Sequence, residues 1–201
     1  SRGHEVQVDA PEVPADSPVH WVETSPQSTG ILDAMLGYLK KSDSVWMQQF
    51  VLTQRDISRE LLRMGPQAHA LCDSGESKYD SKNFTYMADR HVDTKWGNIP
   101  DNGKLHRKEA VYLKGNQIIG ATIGSANATN AGLVKPYDST WNGTTTHRLT
   151  NHEIDAVVDN YTSPDGKYST LPLLKAMLAQ AKANMAQGLD KPTEGSGDSP
   201  F

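Results

Sequence analysis

One stretch of this chain limits its possible folds more than any other. After Lys104-Leu-His106-Arg-Lys108 comes a strand-like run, then a turn at Lys114-Gly115-Asn116, then a second strand-like run from Gln117 to Ile123 that ends in Gly124-Ser125-Ala126-Asn127. Glycine and asparagine tolerate the backbone conformations a tight turn requires, so the chain doubles back here. His106 and Lys108 are two apart and point the same way on an extended strand. A hairpin of this length returns Ser125 and Asn127 to the end where His106 and Lys108 began. One imidazole, one ammonium, one hydroxyl and one amide then converge. That set suits a phosphodiester, which needs a nucleophile and neutralisation of its anionic oxygens.

His-x-Lys followed by Gly-Ser-x-Asn resembles the signature of the phospholipase D superfamily, the "HKD" phosphodiesterases. Asn151-His152-Glu153-Ile154-Asp155-Ala156-Val157-Val158 is similar to the family's downstream Asn-x-Glu segment, an acidic residue opening a buried strand. The upstream alternation of helices and strands fits as well, so the resemblance covers Val19 to about Gly188. The family's Asp, five residues after the motif Lys, falls on Leu113 here. The resemblance implies a metal-independent reaction without a cofactor. His106 attacks phosphorus as a neutral imidazole and forms a phosphohistidine; a second His protonates the leaving oxygen and then activates water. Lys108 and Asn127 bind the non-bridging oxygens, Ser125 supports them, and Glu153 holds His106 through its other nitrogen.

That mechanism needs two histidines, and the chain carries one complete motif. His91 with Lys95 has the wrong spacing and no Gly-Ser-x-Asn after it. Small single-motif members of the family, the short bacterial endonucleases among them, pair two chains across a symmetry axis. The resemblance therefore implies a homodimer with His106 from each subunit in one shared site.

Around this centre the chain reads as one domain. Residues 1–18 are polar with Pro11, Pro14 and Pro18, and are expected to be a flexible tail; residues 189–201 are expected to be another. Between them, 19–188 is the expected phosphodiesterase-like domain. Val19 to Val22 reads as a short strand, 29–41 as an amphipathic helix, and Ser44 to Leu52 as a strand. Thr53-Gln54-Arg55-Asp56 opens a helix that Gly65-Pro66 stops. Ala68 to Cys72 is a buried strand, Asn83 to Asp89 a helix, His91 to Trp96 a strand, and Gly97 to Gly103 a loop. Ala128 to Thr150 reads as a long loop facing the substrate, Ile154 to Val158 as a strand, and Thr170 to Gln187 as a helix. The fold class is α/β, a mixed sheet flanked by helices on both faces, as in the phospholipase D-like α/β/α sandwich.

Other chemistries fit less well. His147, His152 and Glu153 lack His-Glu-x-x-His spacing, and a strand register sends 152 and 153 to opposite faces, so no metal site is expected. Gly-Ser-Ala-Asn is not a serine-hydrolase elbow, and Gly97 to Gly103 lacks the Lys-Ser/Thr of a phosphate loop. Cys72, the single cysteine, reads as a small buried side chain, and Trp46 and Trp96 as core. Trp141, in the glycine-rich segment, is a candidate to stack on a base or touch lipid.

Two substrate classes remain. A nucleic acid, DNA or RNA, is favoured because short single-motif members are typically endonucleases. A phospholipid head group is the alternative, kept open by a net charge of −4. A non-catalytic module on the same fold is a third reading, which Leu113 makes conceivable. No run is long and apolar enough for a membrane span. The missing initiator Met suggests a processed or trimmed product, with a periplasmic or secreted location open.

Overall fold

The structure is a computed structural model and describes residues 17–97, 99–101 and 103–193. Most of both expected tails lies outside the described residues. In chain order come β1 (Val19–Ser25), β2 (Ser28–Thr29), α1 (Gly30–Lys41), β3 (Ser44–Gln49), α2 (Arg55–Met64), β4 (Ala68–Asp73), α3 (Ser77–Ala88) and β5 (Asp93–Gly97). The hairpin β6 (Glu109–Lys114) and β7 (Gln117–Gly124) follows, then α4 (Asn130–Leu133), β8 (Tyr137–Trp141), β9 (Thr144–Arg148), β10 (Glu153–Asp159) and α5 (Leu171–Ala186).

The β6–β7 hairpin lies near the middle of an eight-stranded sheet in the order β2-β1-β10-β7-β6-β3-β4-β5. Lys114 pairs with Gln117, and the two loop residues Gly115 and Asn116 have φ of 56° and 66°. Both central residues left-handed is the type I′ geometry, whose twist matches that of the strands it joins. β3, β4 and β5 run parallel, while β6, β7, β10 and β1 pair antiparallel, so the sheet is mixed as expected.

Alternation along β6 divides the core in two. Ala110 and Tyr112 face α1, α2 and α3, where Ile31, Met35, Leu39, Ile57, Leu61 and Met87 are buried. Val111 and Leu113 face α5 and pack with Ile118, Ala121, Val158 and Leu174. Helices thus cover both faces. Tyr112 is fully buried and stacks on Tyr38 at 4.8 Å, and its hydroxyl meets Thr122 Oγ1 at 2.8 Å. Cys72 and Trp96 are buried as expected.

Four local expectations change. β3 stops at Gln49, and Leu52 instead bridges to Ala128. Gln54 caps α2, its side chain accepting from Ile57 N, so Thr53 is not the cap. α3 begins at Ser77 rather than Asn83. Its Asp80 is fully buried and accepts from Leu52 N at 3.1 Å, a contact no local pattern reports. Finally, 128–150 is not a loop: it contains α4 and the β8–β9 ribbon, turned by Asn142 and Gly143 at φ of 49° and 76°. After α5 the chain turns back, and Leu189 exchanges both backbone hydrogen bonds with Trp96.

Candidate active site

The ends of β7, β3 and β4 and the starts of β6 and β10 meet on one edge of the sheet. Gly124 N donates to Lys108 O at 3.1 Å, and Asp155 stands opposite Gly124 on the other side. Lys108, Gly124 and Asp155 therefore lie side by side on three neighbouring strands. A Cβ on Gly124 would fall 2.2 Å from Asp155 Oδ1 and 2.2 Å from Ile154 O. Only glycine permits this approach.

His106 sits in the extended segment before β6. That segment is pinned by Asp73, whose carboxylate accepts from Leu105 N at 2.8 Å and from Gly75 N at 2.9 Å. The imidazole tilts against the Phe50 ring at 4.7 Å between centroids. Lys108 Nζ lies 2.8 Å from His106 Nδ1, 3.2 Å from Nε2 and 3.1 Å from the His106 carbonyl. Burial, then the charges of Lys108 and Lys104, push the imidazole below its ordinary value, against the pull of Asp73. The Lys108 ammonium is lowered too, by burial first, and is held up by Glu153 and Asp155. Both the burial and the neighbouring ammonium thus bias the imidazole toward its neutral form. The cleft at this edge, about 230 Å³, is lined by Leu71, Lys104, His106, Arg107 and Asn184 among others.

Ser125 comes next along the edge. Its Oγ donates to the Glu153 carboxylate and accepts from Ile154 N at 3.0 Å. Asn127 is half-buried, and its Oδ1 is turned inward with no partner among the described residues. The chain beyond it is tied to β3 and α2: Ala128 N donates to Gln49 Oε1 at 3.1 Å, and Ala128 O accepts from Thr53 N and Gln54 N.

The structure brings His106 onto Lys108 and Ser125 onto Glu153, and puts Lys108 in the field of Glu153. Trp141 it leaves on the β8–β9 ribbon, 78% exposed. Leu113 lies on the opposite face of β6 from Lys108, in the core under α5, so the departure from the family pattern removes no group from this edge.

Several contributors escaped the sequence reading. Asp155 is 3% exposed, accepts from Ala126 N at 3.3 Å, and has its carboxyl pushed up to about 6 by burial and by Glu153. It lies two residues after Glu153 and so on the same strand face, a cue present in the sequence. Beneath the edge, Gln48 Nε2 donates to Glu109 Oε1 at 2.6 Å, Arg107 donates to the same oxygen at 2.9 Å, and Asn184 Nδ2 donates to Gln48 Oε1 at 2.7 Å. This network braces the strand that carries Lys108. The adjacent glutamines Gln48 and Gln49 in an otherwise apolar strand were its only signal. Among the described residues, no three His, Cys, Asp or Glu side chains converge as a metal-binding set. No helix among them is long and apolar enough to cross a membrane.

No family model matches the sequence, and no curated protein is similar to it at the sequence level. Solved structures are similar in fold. A phospholipase D family member, Nuc from Salmonella typhimurium, superposes with a TM-score of 0.61 at 18% identity, covering 87% of this chain and 98% of that one. Polyphosphate kinase from Porphyromonas gingivalis superposes at 0.54 and 9% identity over 88% of this chain and 27% of its own length. The chain has the phospholipase D-like fold.

Proposed function

We propose that this chain is a metal-independent phosphodiesterase that hydrolyses nucleic acid through a phosphohistidine, in a site completed by a second copy of itself. The observation that carries the reading is the contact between Lys108 and a His106 imidazole held neutral. A neutral imidazole has a lone pair for phosphorus, and the ammonium beside it offsets charge on the phosphoryl oxygens, a task that other phosphodiesterases give to a metal. The ring nitrogen of His106 bonds to phosphorus as the bond to the leaving oxygen breaks. His106 of the second copy, which takes up a proton as the anionic diester enters the site, gives that oxygen the proton. Water then displaces the histidine, giving its proton to the same second imidazole. Lys108 and Asn127 hold the non-bridging oxygens. Ser125, fixed by Glu153 and the Ile154 backbone, supports them, and Glu153 steadies the imidazole.

Support for nucleic acid comes from charge placement. In a chain of net charge −4, Lys104, Arg107 and Lys108 gather at the His106 edge, with Lys104 4.0 Å from Glu76 and Arg107 bonded to Glu109. A diester backbone carries its negative charge in a row, and such a cluster favours it. The test incubates the protein in chelator with plasmid DNA, single-stranded DNA and phospholipid vesicles, beside His106→Ala. Nicking that the variant lacks is the expected result. Head-group release with intact DNA moves the substrate to lipid, and silence on all three sinks the reading.

A further inference from the structure

The β8–β9 ribbon has two unlike faces. Residues opposite each other across an antiparallel pair share a face. Tyr137 with Arg148, Ser139 with Thr146 and Trp141 with Thr144 form one face; Asp138 with His147 and Thr140 with Thr145 form the other. Both faces are solvent-exposed. On the second, the side chains pair with one another, with His147 Nδ1 2.8 Å from Asp138 Oδ1 and the hydroxyls of Thr140 and Thr145 2.9 Å apart. The first carries the rings and the guanidinium: Trp141 is 78% exposed, Tyr137 38%, and Arg148, Thr144 and Thr146 are exposed.

A groove opens at the foot of this face, lined by Arg55, Arg59, Asn130, Lys135 and Tyr137, with Asp56 also present and 3.6 Å from Arg59. Its wall at α2 is fixed where Thr53 N and Gln54 N donate to Ala128 O, one residue beyond Asn127. Arg55, Arg59, Lys135 and Tyr137 thus line a groove at the foot of the ribbon, whose α2 wall is joined through Ala128 to the segment that carries Asn127.

We infer that the Tyr137–Trp141–Arg148 face of the ribbon, with the groove at its foot, grips single-stranded nucleic acid running out from the reaction centre. The inference rests on the nucleic-acid reading above and extends it. Four residues along a strand set the two rings about 13 Å apart on one face. Aromatic faces stack on any base, Arg148 and Lys135 neutralise phosphates, and the threonine hydroxyls hydrogen-bond between them. In a duplex the bases are already stacked and offer the rings nothing. A lipid surface calls for a contiguous apolar face, and here three hydroxyls and a guanidinium interrupt it.

The test measures fluorescence anisotropy of a labelled oligothymidylate of about 16 nucleotides, and of the matching duplex, with the full chain carrying His106→Ala so that the probe survives. Tighter binding of the single strand is expected. Adding Trp141→Ala or Arg148→Ala weakens it about fivefold or more. Thr140→Ala and Thr145→Ala, on the opposite face, leave it unchanged. Circular dichroism of each variant establishes that it is folded. Equal losses on both faces, no loss on the aromatic face, or a preference for duplex overturns the inference. So does a loss that tracks dissociation of a dimer in sedimentation, which would assign the face to a second copy. Plasmid nicking by the unaltered chain scores the reaction centre separately. Nicking with no effect of the aromatic-face variants removes only the ribbon, while ribbon binding without nicking keeps this surface and removes the nuclease.

Discussion

Lys108 Nζ lies 2.8 Å from His106 Nδ1, and the two side chains come from positions two apart on one extended segment. The contact couples their ionisation. A second proton on the imidazole would face the ammonium, so Lys108 disfavours imidazolium, as burial and Lys104 also do. The imidazole is therefore biased toward its neutral form at pH values where an ordinary histidine begins to protonate, which is the form the proposed mechanism needs.

Removing that charge has a definite sign. Lys108→Met keeps most of the stem and deletes the ammonium, so the His106 pKa rises. Imidazole resonances followed by NMR titration are expected to show the upward shift. In the unaltered chain the acid limb of kcat/KM on a small diester is expected below the ordinary histidine range. An imidazole that titrates unchanged or lower in the variant refutes the coupling.

Asp155 yields a stability prediction. Its carboxyl is 3% exposed and is pushed from 3.8 up to about 6 by burial. Raised in the fold, it favours the folded state while protonated, and that contribution is lost as pH rises from about 4 through 6. Asp155→Asn removes the charge and keeps an acceptor for Ala126 N. The variant is expected to gain about 1–3 kcal/mol over the parent above pH 6, with little difference near pH 4. Urea melts across that range check it, and a gap that shrinks as pH rises would contradict it.

The hairpin was legible because its determinants are local. Turn residues and strand alternation set its register, and a two-residue spacing is enough to bring Lys108 onto His106. The β8–β9 ribbon was not legible by the same logic. Exposed on both faces, it has no apolar alternation, and only Asn142-Gly143, a strong hairpin signal, marked it. Asp80 in α3 and the pairing of Gln48 with Asn184 depend on partners distant in the chain. Polar residues read as surface until the fold supplies those partners.

Gly124 is held to glycine by its neighbours. In Gly124→Ala the new Cβ meets the Ile154 carbonyl at 2.2 Å, and a backbone oxygen in a paired strand has nowhere to go. The expected cost is about 1–3 kcal/mol of stability. Activity on a small diester is also expected to fall, because β7 and β10 must separate where Lys108, Ser125 and Glu153 are aligned. Urea unfolding and steady-state rates measure the two effects. Parental stability would mean that β10 yields more easily than its pairing implies.

Leu113 stands where the resembling family has Asp, and the structure gives the expected outcome of restoring it. The side chain is 8% exposed and packed with Val111, Ile118, Val158 and Leu174, on the face of β6 opposite Lys108. A carboxylate introduced there would be buried among apolar groups. Leu113→Asp is therefore expected to lose at least about 2 kcal/mol at neutral pH. The loss should narrow in acid, where the carboxyl is neutral. No gain in phosphodiesterase rate should accompany it, since the substitution adds nothing to the edge that holds His106. Thermal melts at pH 4 and 7 with a parallel rate assay decide the matter. A faster and equally stable variant would show that position 113 acts on the site through β6 and that this chain functions below the level its fold allows.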